Sequence, residues 1–294
     1  MRRVAVVGVT AVLVIAGAAA GAAAQVAELV EQGEQARYSG EQTVVCNTPD
    51  GQTSEVFEVA QADGVVVSRD SGGVVRAAAV TRTGGWSLGG KYEVRDRGEE
   101  LFLQRPVAVV EIMEGDLLRL RLRFDVETGV LLASDVFNGD GSPYCSTRFV
   151  VFLPGAAGLA ANVDPELLDL SPVGSFNESA LPEAIAGFDR ISVGQGPREE
   201  IVSAYYGDGI FSFTVLNAER VIDIPELAEA PTADIEGHAY RRQFSLSTVV
   251  VEWSSDRGGY VLIGDIPLDV QSQVLRALPT PQQGFFDRLW SLFN

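Results

Sequence analysis

The chain has 294 residues, 46% of them hydrophobic, with 40 acidic against 22 basic side chains and a formal charge of −18. That length and apolar content suit two domains with proper cores, and the acidity excludes nucleic acid as a partner by long-range repulsion of phosphate. One histidine and two cysteines exclude a zinc-type cluster, which needs three or four such ligands at close spacing.

Met1-Arg2-Arg3 is a short basic start, followed by an uncharged run of Val, Ala, Leu and Ile that closes on Ala22-Ala23-Ala24. This is the pattern of a secretory signal over residues 1–24, with cleavage before Gln25. The same run is also long enough to span a bilayer as a retained anchor. On either reading the body of the protein lies outside the cytoplasmic membrane. No cysteine follows, so no lipid attachment is expected there.

Residues 25–37 read as a helix with Val26, Leu29 and Val30 on one side. From residue 38 to 153 the pattern becomes strand-like. Val-rich runs are cut by Pro49-Asp50-Gly51, Ala62-Asp63-Gly64, Glu114-Gly115-Asp116 and Asn138-Gly139-Asp140-Gly141. Consecutive strands with little helix between them predict an antiparallel sheet curved around one apolar face. The clearest strand is 118–124, where Leu118, Leu120, Leu122 and Phe124 alternate with Arg119, Arg121 and Arg123. Strands at 107–113 and 130–137 flank it. Three arginines on alternate positions form either a basic strip for an anionic ligand or one side of cross-strand pairs with carboxylates such as Glu111. Cys46 and Cys145 form one disulfide in an oxidising compartment, or else remain two buried thiols.

Within this block Gly85-Trp86-Ser87-Leu88-Gly89 has the spacing of a nucleophile elbow, and the single histidine, His238, follows it in the hydrolase order. An elbow needs a helix after the serine, whereas Gly90-Lys91-Tyr92-Glu93-Val94 is strand-like. A phosphate-binding loop fails at Tyr92, where Ser or Thr is required. No EF-hand loop organises the many carboxylates. No catalytic residue, metal or cofactor is therefore expected.

Residues 155–178 gather Gly, Ala, Asn, Asp and Pro without periodicity and read as a linker. The sequon Asn177-Glu178-Ser179 falls at its end and reads as linker and cap. A second domain over 179–280 opens with a helix predicted at 179–187, from Leu181 and Ile185 spaced by four and Gly187 as a stop. Strands follow at 201–204, 210–216, 239–245, 248–253 and 260–264, then a helix at 267–278 with Val270, Val274, Leu275 and Leu278 on one face. Phe211 and Phe213 alternate and so face the core together. The last segment, 281–294, sorts Phe285, Phe286, Leu289, Trp290, Leu292 and Phe293 from Asp287, Arg288, Ser291 and Asn294 on a helical wheel. It packs on its own domain or makes peripheral contact with a membrane or partner.

The stretches Ala36-Arg37-Tyr38-Ser39-Gly40, Lys91-Tyr92-Glu93-Val94, Gln104-Arg105-Pro106-Val107-Ala108-Val109-Val110 and Phe124-Asp125-Val126-Glu127-Thr128-Gly129-Val130-Leu131-Leu132 resemble the first domain of the MucB/RseB family of sigma-E regulatory proteins. Tyr206-Gly207-Asp208-Gly209-Ile210-Phe211-Ser212-Phe213-Thr214-Val215 and Tyr260-Val261-Leu262-Ile263-Gly264-Asp265-Ile266-Pro267 resemble its second domain. The resemblance implies an α+β fold: a LolA-like curved antiparallel half-barrel with helices and an apolar groove, then a smaller antiparallel α+β domain. It implies a regulator whose second domain holds the extracytoplasmic part of a membrane anti-sigma factor, and whose grip responds to lipid or a mislocalised lipoprotein. Tyr205, Tyr206 and Asp208 become candidates for partner binding. The alternative function is a carrier or chaperone for lipids or lipoproteins. Gly207 departs from the serine usual in this turn, and neither the cysteine pair nor the arginine strip follows from the resemblance.

Overall fold

A computed structural model describes residues 22–79, 90–156, 158, 181–195, 201–219 and 229–282. The chain divides into two compact units, Met1–Ser171 and Pro172–Asn294. Among the described residues no helix is long and apolar enough to cross a membrane.

In the first unit α1 (Ala22–Gln35) precedes nine strands: β1 (Tyr38–Thr48), β2 (Gly51–Ala62), β3 (Val65–Arg69), β4 (Val75–Ala79), β5 (Tyr92–Phe102), β6 (Arg105–Glu114), β7 (Leu117–Asp125), β8 (Leu131–Phe137) and β9 (Pro143–Pro154). They form one antiparallel sheet in the order β4-β3-β2-β1-β9-β8-β7-β6-β5. The turn signals read from the sequence fall between consecutive strands, so the meander is local except where β9 returns to pair with β1. Register shifts interrupt the β1–β9, β5–β6, β6–β7, β7–β8 and β8–β9 ladders. Each bulge bends and twists its strand, which gives the open sheet its curvature. Both faces of β6 are buried from Val107 to Met113.

Cys46 and Cys145 stand directly opposite each other on β1 and β9 and are bonded, with their Cα atoms 4.1 Å apart. This close approach suits a non-hydrogen-bonded antiparallel pair.

The turn from β7 to β8 clamps α1 to the sheet. Asp125, fully buried, accepts two hydrogen bonds from Arg105 at 2.7 and 3.0 Å, and others from the Thr128 amide and hydroxyl. Burial opposes ionisation of Asp125, but the Arg105 and Thr128 bonds prevail and hold its pKa below the ordinary value. The fixed turn presents Gly129 to α1 so closely that a Cβ there would lie 2.2 Å from the Leu29 carbonyl oxygen, and one on Gly33 2.4 Å from that of Gly129. Gln61 of β2 completes the clamp, its amide nitrogen donating to the carbonyls of Gly33, Glu34 and Ala36 at the end of the helix.

In the second unit β10 (Ala184–Ile185), β11 (Phe188–Gln195), β12 (Ile201–Gly207), β13 (Ser212–Ala218), β14 (Thr232–Ile235), β15 (His238–Ser245), β16 (Thr248–Ser255) and β17 (Gly258–Gly264) form a sheet ordered β10-β11-β12-β13-β17-β16-β15-β14, followed by α2 (Leu268–Ala277). The helix expected over 179–187 is corrected in its described part. Residues 184–185 are extended and a tight turn at Ala186-Gly187, with φ of 51° and 84°, folds them onto β11. Leu181 and Ile185 are buried as the spacing demanded, but in a hairpin.

Cross-strand pairs place Tyr206, Phe213, Val215, Leu262, Val251 and Trp253 on one face. α2 lies over it: Tyr240 and Leu275 line a common cleft, and the Trp253 indole donates to the Pro279 carbonyl at 2.7 Å. Ile266, Val270, Val274, Leu275 and Leu278 are buried there. The helix ends where its apolar stripe ends, with Arg276 against the negative pole of its dipole.

Candidate functional site

The arginines of β7 are not one equivalent strip. Leu118 pairs with Met113 and Leu120 with Ile112, so Arg119 is an extra residue at a bulge. It is turned inward, 1% exposed, with its Nε 3.3 Å from Glu114. The strict alternation read from the sequence misses this because a single bulge breaks the period of two.

Arg121 and Arg123 remain on the open face and meet carboxylates. Glu111, buried on β6, accepts from Arg121 at 2.8 Å and from Arg97 at 2.6 Å. Asp135 accepts from Arg123 at 2.8 Å, from Arg148 at 3.0 Å and from the Ser146 hydroxyl at 2.7 Å, while Arg123 also donates to Glu100. Burial works against the ionised form of both Glu111 and Asp135. The arginine bonds to Glu111 outweigh it, as do those from Ser146 and Arg123 to Asp135, so both pKa values lie below the usual carboxylate range. Arg97, Arg121, Arg123 and Arg148 thus surround Glu111, Asp135 and Glu100, and Arg97 and Arg148 keep about half of their side chains in water. The result is a guanidinium-rich face on an acidic protein. Arg97 and Arg148 escaped the sequence reading because one sits at a bulge and the other is distant in sequence.

In the second unit the three candidates separate. Tyr206 is fully buried, stacked on Phe213, and its hydroxyl donates to the Pro182 carbonyl at 2.8 Å. Desolvation pushes that phenol up to about 12. Asp208 is buried in the loop after β12 and accepts from the Ile210 and Phe211 amides at 3.0 and 2.9 Å, fixing the turn that seats Phe211 and Phe213 in the core. Tyr205 points to the opposite face, away from α2. There it stands in a row across the sheet with Thr214, Ile263, Val250 and Gln243, paired in register on β13, β17, β16 and β15. Tyr205, Thr214, Ile263 and Val250 are only half-buried. On the same face, further along these strands, Ile201, Leu216, Ala218 and Val261 form a buried cluster against which Val250 and Ile263 pack. The sequence pointed to Tyr205 alone, since its companions are brought together only by register.

His238 lines a cleft of about 140 Å³ with Ile235, Tyr240, Ser272, Leu275, Arg276, Thr280 and Glu236, and Glu236 is ion-paired to Arg276. Ser87, its partner in the elbow pattern, lies outside the described residues, as do the sequon, most of the linker 155–178 and the tail beyond Gln282.

Two open, antiparallel, bulge-curved sheets in one chain, each with a helix, define a two-unit α+β protein whose open sheet faces carry its accessible chemistry. No family model and no curated protein matches the chain. Among solved structures it is similar to MucB in complex with MucA(peri), with a TM-score of 0.56 at 22% identity over 90% of this chain and 100% of that one. MucB alone gives 0.56 at 21% identity over 90% and 99%. The MucA/MucB complex of Pseudomonas aeruginosa gives 0.51 at 19% over 88% and 100%. The chain has the fold of MucB.

Proposed function

We propose that the protein is an extracytoplasmic regulatory binding protein that holds the exported segment of a membrane anti-sigma factor and so controls an envelope-stress sigma factor. The observation that carries this reading is the half-open row of Tyr205, Thr214, Ile263 and Val250. It is an aromatic and β-branched strip on a rigid sheet face that α2 leaves uncovered, the kind of surface on which partner contacts concentrate. Support comes from the fold, shared with a MucB solved together with MucA(peri), and from the export pattern of residues 1–24. In this reading Tyr205 touches the partner, whereas Tyr206 and Asp208 shape the strand and turn that present it. The guanidinium face of Arg121 and Arg123 with Arg97 and Arg148 receives an anionic group of the lipid or lipoprotein signal, and Arg119 supports it from within.

The test is binding of the purified exported segment of a membrane anti-sigma factor from the same organism. Tyr205→Ala is expected to weaken binding about tenfold, an effect of the size found for interface aromatics, with an unchanged melting temperature. Equal affinity of the variant and the parent overturns the assignment of this face. Co-purification of lipid with no binding of any such segment replaces the regulator by a carrier.

A further inference from the structure

Among the described residues of the second unit, Ile191 is the one large apolar side chain that stands exposed, at 58%. Its place is set by a bulge. Arg190 pairs with Tyr206 and Ser192 with Tyr205, so Ile191 is the extra residue of β11. A bulge takes a side chain out of the alternation of its strand and re-aims it. The residue before it is held from the other side: the Arg190 amide donates to the Glu183 carbonyl at 2.8 Å, and its guanidinium to the Leu181 carbonyl at 2.6 Å.

Gly207 shows where Ile191 is aimed. It follows Tyr205 by two residues on β12 and so faces the same side of the sheet, away from α2. A Cβ on Gly207 would lie 2.8 Å from the Ile191 Cδ1. The φ of Gly207 is outside the left-handed region, so the backbone does not itself demand glycine there. What crowds out a side chain at 207 is Ile191, which lies across the glycine, and Gly207 is buried on an otherwise open face. The surface formed by Val250, Ile263 and Tyr205 thus continues over the β12 backbone to Ile191. Ser212 stands opposite Gly207, as Thr214 stands opposite Tyr205.

We propose that Ile191 is a second anchor of the Tyr205 row, and that Gly207 is the positioning residue that lets it lie on that face. The inference rests on the reading of the row as the face for an exported anti-sigma segment, and the occupant is that same segment. One of its apolar side chains packs on Tyr205 and Ile191 together. An aromatic and a branched aliphatic side chain fixed on one rigid sheet concentrate contact energy at a few residues. The missing Cβ at 207 is what brings the two side by side.

The measurement is binding of the purified exported segment to the full chain, with Tyr205→Ala as the reference variant. Ile191→Ser is expected to weaken binding about tenfold. Gly207→Ala is expected to weaken it about fivefold by pushing the Ile191 Cδ1 off the face, and to change nothing further once Ile191→Val has removed that atom. Melting temperatures stay at or above that of the parent for Gly207→Ala, because the displaced atom is the far end of an exposed side chain and alanine fits the backbone. In methyl NMR the contact between the Ile191 δ-methyl hydrogens and the Hα of residue 207 is lost in Gly207→Ala. Unchanged affinity of Ile191→Ser, with binding still weakened by Tyr205→Ala, overturns this inference and leaves the reading of the row intact. A segment that does not bind the parent chain overturns both. An equal loss from Gly207→Ala with and without Cδ1 overturns the positioning role.

Discussion

Glu111 shows how one residue converts a basic stripe into an ordered face. Its carboxylate is buried in a run, Val107 to Met113, that is otherwise Val, Ala, Ile and Met, and it is bonded on one oxygen by Arg121 and on the other by Arg97. Glu111→Gln keeps the volume but removes the charge, leaving two neighbouring guanidiniums to repel each other across a neutral amide. A fully buried ion pair broken on one side costs about 3–5 kcal/mol, and because both arginines are partly solvated here about 2 kcal/mol is expected. Urea denaturation of the variant at neutral pH measures this, and a loss below about 0.5 kcal/mol shows that solvent already screens the network. The substitution is also expected to strengthen binding of a polyanion such as polyphosphate to this face, since the arginines lose an internal competitor. Tyr206 and Asp208 teach the converse. A polar residue in a recognisable motif can also serve the fold, as the bond of Tyr206 to Pro182 and those of Asp208 to Ile210 and Phe211 show.

At the scale of elements, the strongest constraint is the seat of α1 on the β7–β8 turn. Gly129 has φ of +69° and no space for a Cβ, so Gly129→Ala both strains the turn and pushes the helix off its seat. A loss of about 3 kcal/mol or more is expected, visible as a lower urea midpoint together with faster amide exchange in α1. Exchange unchanged in α1 would mean that the helix is held by its apolar face and Gln61 alone. The acidic turn 125–129 was legible in the sequence because each of its residues has a defined place: Asp125 binds Arg105 and Thr128, and Gly129 takes the positive φ against α1. Other elements were legible for simpler reasons. The Gly- and Asp-containing turns punctuate β1 to β9, and the stripe of Val270, Val274, Leu275 and Leu278 marks α2. Where local pattern and tertiary demand diverge, reading fails. Leu181 and Ile185 have helical spacing but are buried by a hairpin, and nothing adjacent in sequence marks the bulge at Arg119. The Tyr205 row and the contribution of Arg148 arise from register between strands, the β13–β17 pair in the first case and the β8–β9 hairpin in the second, which no single-strand pattern contains.

Across the whole molecule the two units differ in how their stability responds to acid. In the first, Glu111, Asp125 and Asp135 all have folded pKa values below their unfolded ones. A lowered carboxylate contributes stability that is present above its unfolded pKa and is lost as pH falls through the folded value. In the second unit Asp265 is shifted the other way: desolvation raises it more than the Thr248 and Ser247 hydroxyl bonds lower it. Its ionised form costs stability at neutral pH, and that cost is relieved as pH falls through its raised value. Glu236 opposes this trend in the second unit, but its bond to Arg276 is exposed and a minor contributor. The first unit is therefore expected to unfold before the second on acidification below about pH 4, the ordinary carboxylate range. The disulfide, which joins β1 to β9 within the first unit, tempers this without reversing it. Two-dimensional NMR along a pH titration at fixed low urea resolves the order, with amides of β6 to β8 losing their folded signals while those of β13, β16 and β17 persist. Simultaneous loss in both units, or earlier loss in the second, would mean that acid stability is governed by the general charge of the chain and not by these buried carboxylates.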